Sequence, residues 1–167
     1  PPKGAIVLFD DKETNQFLSM AGEEMNWKIE QGELISTKGG RNSNPLVSRL
    51  HFRDIDIHVE FKLSPSGSGN SGVYLQNRYE IQILDRDRSK HGMGAVINET
   101  PAPYHAYRGV GKWNAYDINF RAARFENGKR SEKALVSMYF NGKKVHENQP
   151  INKVWGGPNS GVDGGTK

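Results

Sequence analysis

The sequence of 167 residues contains no cysteine, so the chain forms neither disulfides nor thiolate metal sites. No apolar run approaches the ~20 residues that a membrane-spanning helix needs. Positive charge is not concentrated either, because 23 Lys and Arg are interspersed with 19 Asp and Glu and the longest basic stretches are pairs such as Lys143-Lys144. Nucleic-acid binding requires a basic stripe that follows the phosphates. We therefore predict neither a nucleic-acid partner nor a membrane-spanning segment.

Glycine is abundant, with 19 residues beside eight prolines, and it separates many short runs of alternating apolar and polar residues. The run from Asp54 to Leu63 alternates most regularly, with isoleucine, valine and phenylalanine on one face and charged residues on the other. Strands with one apolar and one polar face predict two antiparallel sheets packed face to face. We therefore predict an all-β fold, a jelly-roll β-sandwich, as a single domain over residues 1–167.

Turn residues divide the chain into about eleven candidate strands. These are Ala5 to Phe9, Asn26 to Glu30, Glu33 to Ser36, Leu46 to Ser48, Asp54 to Leu63, Ser71 to Gln76, Glu80 to Leu84, Gly94 to Ile97, Trp113 to Ala122, Leu135 to Phe140 and Lys143 to Glu147. Gln31-Gly32 and Asn141-Gly142 are predicted hairpin turns, because Asn and Gly tolerate positive φ. Only Lys12 to Met25 could hold a short helix.

The segment from Asn70 to Asp85 reads as two strands joined by a tight turn, with one unusually polar face. Its apolar positions alternate to one side: Val73, Leu75, Ile81 and Ile83. Its polar positions fall on the other side: Tyr74, Gln76, Glu80 and Gln82. An aromatic ring, two amides and a carboxylate are side chains suited to a polar, ring-shaped ligand such as a sugar.

The neighbours of this hairpin can be predicted by matching apolar positions. Matching places Leu75 opposite Ile81, with the turn centred on Arg78. It also places the strand Asp54 to Leu63 beside the hairpin, with Val59 next to Leu75. A slip of two residues would preserve the faces and change the neighbours. The cluster predicted on one sheet face is His58, Glu60, Tyr74, Gln76, Glu80 and Gln82.

Several kinds of chemistry are open to this cluster. Glu60 and Glu80 could form the pair of carboxylates, ~5–10 Å apart, that ordinary glycoside hydrolysis requires, and His58 could act as a general base near neutral pH. A calcium site formed by Glu80, Asp85 and Asp87 is a further alternative, although Asp85 has the opposite strand parity to Glu80. Alternatively, these side chains are solvated and pair across strands without chemistry.

Tryptophan provides a second class of candidate, because its ring can belong to the core or form a platform for a sugar. Trp27 precedes a strand–turn–strand pattern and is predicted to be core. Trp113 begins a strand beside Asn114, after a glycine-containing loop, so a position at the rim of a binding face is as consistent as a core position. Trp155 lies in a glycine-rich tail, for which the sequence predicts no structure.

Six phrases in order along the chain resemble one family, the 3-keto-disaccharide hydrolase domain. They are IVLFDDKE (Ile6 to Glu13), WKIEQGELIS (Trp27 to Ser36), FRDIDIHVEFKLS (Phe52 to Ser64), NSGVYLQNRYEIQILD (Asn70 to Asp85), GKWNAYDINFRAARF (Gly111 to Phe125) and FNGKKVHEN (Phe140 to Asn148). The resemblance covers nearly the whole chain, and its NSG…YEIQILD and WN-Y-DI elements are specific in combination.

The resemblance implies a concanavalin A-like jelly roll that cleaves glycosides whose sugar ring carries a 3-keto group. A 3-keto group acidifies the proton on C2, so elimination followed by hydration can replace direct displacement. One base and an enolate stabiliser, with a divalent metal such as calcium as an option, would then suffice. The residues that match the motifs are Asn70, Ser71, Glu80, Gln82, Asp85, Trp113 and Asn114.

The residue pattern and the family resemblance together favour one function and leave one alternative. The preferred function is a hydrolase or lyase acting on a disaccharide or other glycoside, with Glu80 as acid or base and with Gln82, Tyr74 and Asn114 positioning the sugar. The alternative is a non-catalytic carbohydrate-binding module on the same fold. The resemblance also implies an exported protein whose signal peptide has been removed. The family pattern continues past the segment GGPNSGVDGG into a final strand that this sequence does not contain.

Overall fold

The computed structural model describes residues 1–12, 15–36, 45–66 and 69–155. The fold is all-β, as predicted, and is a jelly-roll sandwich built from antiparallel sheets. The chain forms two compact units, Pro1–His51 and Phe52–Lys167, and a single domain over the whole chain stays a prediction. In the described ranges no helix is long and apolar enough to cross a membrane. The segment GGPNSGVDGG, after which the family pattern places its final strand, lies outside the described residues.

The first unit contains two pairs of short antiparallel strands. They are β1 (Phe17–Ser19) with β4 (Leu46–Ser48), and β2 (Lys28–Glu30) with β3 (Glu33–Ile35). Gln31 and Gly32 both have positive φ, 53° and 77°, which is typical of the two-residue turns that match the twist of a hairpin. The predicted turn at these two residues is therefore confirmed.

The first unit differs from the sequence-based interpretation at two places. Lys12 to Met25, the segment that could hold a short helix, contains no helix in its described residues, because β1 pairs with β4 and Gly22 takes a φ of 80°, outside the range of a right-handed helix. The strand expected over Ala5 to Phe9 is also absent, although these residues are described. Tertiary pairing, rather than local propensity, determines the structure of such short segments.

In the part of the second unit that the structure describes, there are eight strands. They are β5 (Ile55–Phe61), β6 (Asn70–Leu75), β7 (Tyr79–Leu84), β8 (Asn114–Arg121), β9 (Arg124–Glu126), β10 (Lys129–Glu132), β11 (Ala134–Phe140) and β12 (Lys143–Ile151). One sheet has the order β12-β11-β8-β5, a second consists of β6 and β7, and β9 and β10 form a separate hairpin. Instead of the strand predicted over Gly94 to Ile97, isolated bridges join Val96 to Ile81 and to Thr100. The predicted Asn141-Gly142 turn joins β11 to β12.

The core of the second unit lies between the two sheets, as the alternation predicted. From the four-stranded sheet it receives side chains that are at most 2% exposed: Tyr116, Ile118, Phe120, Val136, Met138 and Phe140. From the hairpin sheet it receives Leu75, Tyr79, Ile81 and Ile83, with Val73 packed at the edge. The rings of Tyr79 and Phe120 lie 5.9 Å apart between centroids and join the two sheets.

The predicted neighbour of the hairpin is wrong. Strand β5 pairs with β8, so that His58 lies opposite Asp117 and Glu60 opposite Ala115, and β6 and β7 belong to the other sheet. The apolar faces of β5 and β6 oppose each other across the core instead of continuing side by side. Alternation specifies which face of a strand is buried, but it does not specify which strand lies beside it.

The predicted register within the hairpin is also wrong, by two residues. Leu75 pairs with Tyr79 and Tyr74 with Glu80, so the turn centres on Asn77 instead of Arg78. Gln76 and Asn77 both have positive φ, 50° and 58°. The backbone N–H of Arg78 donates to the carbonyl of Leu75 at 3.0 Å, which closes the turn one position earlier than apolar matching suggested.

Candidate active site

The polar face of the β6–β7 hairpin brings one carboxyl and one phenol together. Tyr74 on β6 lies directly opposite Glu80 on β7. The Tyr74 hydroxyl donates a hydrogen bond to the Glu80 carboxylate. Both side chains are partly buried. The polar face is therefore not fully open to solvent. This pair is the structural centre of the candidate site.

Gly72 provides the space that the Glu80 side chain occupies. A Cβ atom at position 72 would lie 2.3 Å from Oε1 of Glu80 and 2.8 Å from its Cγ. No residue other than glycine can therefore stand at position 72 with Glu80 in this place. The sequence contains a signal for this contact, since a glycine inside a strand pattern often marks a close approach.

The environment shifts the titration of both members of the pair. Burial raises the pKa of Glu80, and the hydrogen bond from Tyr74 offsets only part of that rise. Burial, together with the adjacent Glu80 carboxylate, also raises the pKa of Tyr74 well above its usual range. The phenol therefore stays protonated at neutral pH and remains a donor. A carboxyl whose pKa is raised toward neutrality is suited to general acid–base catalysis.

The Gln82 side chain is buried and does not present its amide to solvent. The residue is 7% exposed, and its Oε1 accepts from the backbone N–H of Ile83 at 3.1 Å. Its backbone carbonyl accepts from the hydroxyl of Tyr116 at 2.8 Å, and its backbone N–H donates to Ala95 at 3.0 Å. These contacts are those of a scaffold residue that holds β7 in place beside Glu80.

A small open depression lies at the edge of the second sheet. It is much smaller than the pockets of roughly 300–1,000 Å³ that hold drug-sized ligands. Its lining comes from β7, the segment after it and the end of β12: Arg78, Tyr79, Glu80, Val96, Ile97, Ile151, Lys153 and Trp155. Glu80 and Trp155 are thus part of one lining.

The structure separates the remaining predicted catalytic residues from Glu80. His58 and Glu60 lie on β5, in the other sheet, with exposed side chains that alternate with its core-facing residues. His58 Nδ1 lies 2.6 Å from Oδ1 of Asp117, its cross-strand partner. The prediction that His58, Glu60 and Glu80 share one sheet face is therefore wrong, since β5 lies in the opposite layer of the sandwich.

Three predicted substrate-binding residues lie at the ends of the hairpin. Gln76 occupies the turn, and its amide donates to the carbonyl of Phe52 at 3.1 Å, which ties the turn to the chain entering β5. Asn70 is exposed at the start of β6. Asp85 follows β7, with Oδ2 at 3.7 Å from Nε of Arg86.

The calcium site considered from the sequence does not form. Among the described residues, which include Glu80, Asp85 and Asp87, no three His, Asp or Glu side chains gather to hold a metal ion. Asp87 Oδ1 instead accepts from the backbone N–H of Ser89 at 2.7 Å, and this bonding lowers the pKa of Asp87. Asp85 lies beyond the end of β7 and has the parity opposite to that of Glu80, so the strand geometry does not direct it to the same face.

Trp113 lies at the opposite end of β8 from the Glu80 depression. It precedes Asn114 at the start of β8, whereas Tyr79, next to Glu80, packs on Phe120 near the end of that strand. Its side chain is 45% exposed, and Nζ of Lys62 lies 4.8 Å from the ring centroid. Trp113 is therefore not a core residue, and its ring does not line the depression.

Asn114 has the contacts of a residue that fastens a loop to the sheet. It is 1% exposed, and its Oδ1 accepts from the backbone N–H of Arg108 at 3.0 Å and from Nδ2 of Asn141 at 2.9 Å. Its Nδ2 donates to the carbonyl of Lys112 at 2.9 Å. This amide is thus committed to neighbouring protein groups.

Replacing Asn114 by alanine should therefore reduce stability. We expect Asn114→Ala to lower the free energy of unfolding by about 1–3 kcal/mol, because three hydrogen bonds of a buried amide are lost. Urea denaturation measures this change as a lower midpoint at an unchanged slope. Asn119→Ala is the matched control, since the exposed Asn119 donates only to the exposed Asp56; it should stay within about 0.5 kcal/mol of the unchanged protein. Equal effects of the two changes would contradict this role.

Jelly-roll sandwiches include several functional classes, carbohydrate-binding domains among them, and the half-buried Glu80 carboxyl beside Tyr74 is compatible with that class. The comparisons with known proteins make this specific: residues 4–166 match the model of the 3-keto-alpha-glucoside-1,2-lyase-like domain. The chain belongs to that family. The family resemblance found in the sequence is therefore confirmed, and a carbohydrate-active role follows from it.

Two solved structures from Parabacteroides distasonis share the fold. Both proteins are provisionally named glycosyl hydrolases. The first is 26% identical, with a TM-score of 0.86, and the match covers 98% of this chain and 74% of the other. The second is 17% identical, with a TM-score of 0.65, covers 90% of this chain and 74% of the other, and supports the fold alone. No protein with a curated description matches the chain.

Proposed function

We propose that this protein cleaves the glycosidic bond of 3-keto-glycosides, with Glu80 as the base that removes the proton on C2. The observation that supports this role is the half-buried Glu80 carboxyl, which lies over Gly72 and accepts a hydrogen bond from Tyr74. The description of the family as 3-keto-alpha-glucoside-1,2-lyase-like supports the substrate class and the reaction.

The proposed reaction needs one base rather than two carboxylates. The ketone at C3 acidifies the C2–H bond, and the Glu80 carboxylate accepts that proton. The electron pair of the C2–H bond forms a C1–C2 double bond as the C1–O bond breaks and the aglycone leaves with its oxygen. The leaving oxygen takes up a proton, and addition of water across the double bond gives the free 3-keto sugar. A mechanism with one base does not require a second carboxylate near Glu80. The position of Glu60 in a different sheet is therefore compatible with the proposal.

Tyr74 has a positioning role in this proposal. Its protonated hydroxyl holds the Glu80 carboxylate against Gly72, so one oxygen of the base is oriented and the other is left for substrate. Preorganised hydrogen bonds of this kind reduce the reorganisation needed at the moment of reaction. Gln82, which fixes β7 through Tyr116 and Ala95, keeps the strand that carries Glu80 rigid.

The test compares a chromogenic 3-keto-glucoside with the same glucoside lacking the keto group. We expect aglycone release from the keto compound only, and deuterium at C2 of the sugar product when the reaction runs in D2O. Each assay is run with and without added divalent metal. Saturable binding of sugars without release from either compound would overturn the proposal in favour of a carbohydrate-binding module. Equal release from both compounds would point to ordinary displacement.

The pH dependence of turnover gives a second prediction. Glu80 must be ionised to act as a base, so kcat/KM should fall as the pH decreases through its pKa, which burial places above the usual 4.5. Tyr74→Phe removes the hydrogen bond that lowers the pKa of Glu80, so this acidic limb should move to higher pH. A pH–rate profile with the 3-keto-glucoside measures the acidic limb in the unchanged protein and in Tyr74→Phe. An acidic limb that stays in place or moves to lower pH in Tyr74→Phe would contradict the assignment.

A further inference from the structure

The chain that follows β12 folds back onto a single carboxylate. Glu99 Oε1 accepts from the backbone N–H of Asn152 at 2.7 Å and from Nε1 of Trp155 at 2.7 Å, and Glu99 Oε2 accepts from Nδ2 of Asn152 at 2.5 Å. Four residues after β12 are thereby attached to a loop that lies more than fifty positions earlier in the sequence.

The bonding keeps this carboxylate charged. Partial burial raises the pKa of Glu99, but the hydrogen bonds from Trp155 and Asn152 lower it by more, so the net shift is downward. An ionised acceptor makes stronger hydrogen bonds than a neutral one. The indole of Trp155 is therefore held in a fixed place at neutral pH, although its side chain is 40% exposed.

The fixed indole lies at the depression that Glu80 also lines. Nζ of Lys153 is 4.0 Å from the centroid of the Trp155 ring, which adds a cation–π contact to the bond from Glu99. An exposed aromatic ring that two contacts immobilise loses little further freedom when a ligand packs on it. Tryptophan presents a large apolar face, of the kind that lines ligand sites.

We propose that Trp155 is the aromatic wall of the site, against which a sugar ring of the substrate packs, and that Glu99 is the residue that positions it. This inference rests on the proposed function for the identity of the sugar, a 3-keto-glycoside. It adds a binding contact that neither the hairpin nor the family motifs contain. Trp155 contributes to affinity, whereas Glu80 contributes to the chemical step.

The matched pair of variants is Trp155→Leu and Trp113→Leu, because both tryptophans are exposed to a similar degree and only Trp155 lines the depression. With the 3-keto-glucoside, we expect Trp155→Leu to raise KM by about tenfold with little change in kcat. Trp113→Leu should leave both constants unchanged. Trp155→Phe, which retains a ring, should recover part of the lost affinity. Equal KM values for the two leucine variants would overturn the proposal.

The positioning role of Glu99 is tested separately. Glu99→Gln should raise KM and change the fluorescence of Trp155. In the Trp155→Phe background the same change should have no further effect on KM, because phenylalanine has no N–H to donate. A merely structural role of Glu99 would instead lower stability and raise KM equally in both backgrounds, and this outcome would contradict positioning.

Binding and turnover together separate this inference from the proposed function. Sugar binding is measured with Glu80→Gln as the background, so that the substrate stays intact. Glu80-dependent turnover with no contribution from Trp155 would overturn the inference and leave the proposed function in place. Sugar binding that depends on Trp155, without turnover by the unchanged protein, would overturn the proposed function and retain Trp155 as a binding residue.

Discussion

Glu80→Gln should reduce turnover of a 3-keto-glucoside by about 10²- to 10⁴-fold, the range expected for loss of a general base. Glutamine keeps the size of the side chain and can still accept the hydrogen bond from Tyr74, so the geometry over Gly72 is retained. It cannot take a proton from C2. The loss should therefore appear in kcat, while the affinity measured for the intact substrate changes little.

Glu60→Gln is the control for this experiment. Glu60 was a candidate partner of Glu80 from the sequence, but it is exposed on β5 in the other sheet. Its replacement should leave turnover unchanged. Comparable losses in the two variants would mean that both carboxylates take part, and unchanged turnover in Glu80→Gln would exclude Glu80 as the base.

Glu80→Gln also has a predicted effect on stability. The pKa of Glu80 is raised in the folded state, so its contribution to stability is fully present below the unfolded pKa and is lost as the pH rises through the folded pKa. At neutral pH the folded protein therefore bears the cost of a partly buried, ionised carboxyl. Glu80→Gln should raise the midpoint of thermal unfolding at pH 7.5, and the gain should shrink toward pH 4. A lower midpoint at pH 7.5 would contradict a strained site.

The sequence predicted the faces of the strands well and their neighbours badly. Alternation in β5 and β8 correctly assigned core and surface, because a period of two residues is built into strand geometry. The same alternation led to the wrong partner for β5, since a sandwich has two inner faces with identical patterns. The pairing of β5 with β8 depends on a crossover of more than fifty residues, which local pattern does not encode.

The candidate site was likewise predicted only in part: the face that carries it was correct, but several of its neighbours were not. Tyr74 and Glu80 were placed on one face from the sequence, and they are direct partners in the structure. Asn114 matched the family motif but is buried with its amide bonded to neighbouring protein groups. Trp155 could not be predicted, because its place depends on a bond to Glu99, 56 positions away. Residues brought together by tertiary contact are therefore the part of a site that sequence patterns miss.

Gly72→Ala should reduce turnover nearly as much as removal of the base itself, by about 10²-fold. The added Cβ would stand 2.3 Å from Oε1 and 2.8 Å from Cγ of Glu80, so the carboxyl must leave its place. A displacement of about 1 Å at a reacting group can cost on the order of 10²-fold in rate. The nearest atoms belong to a side chain rather than to the backbone, so the strand itself can remain folded.

Two further variants distinguish displacement of Glu80 from general loss of structure. Gly142→Ala, at the β11–β12 turn, has no atom within 4 Å of the new Cβ but has a φ of 77°; it should lower stability through backbone strain and leave turnover intact. Gly72→Ala combined with Glu80→Gln should be no slower than Glu80→Gln alone, because the group that the methyl displaces is already inactive. If the double variant instead lost turnover by the product of the two single losses, Gly72 would act independently of Glu80. The close approach of Gly72 and Glu80 would then not explain the requirement for glycine.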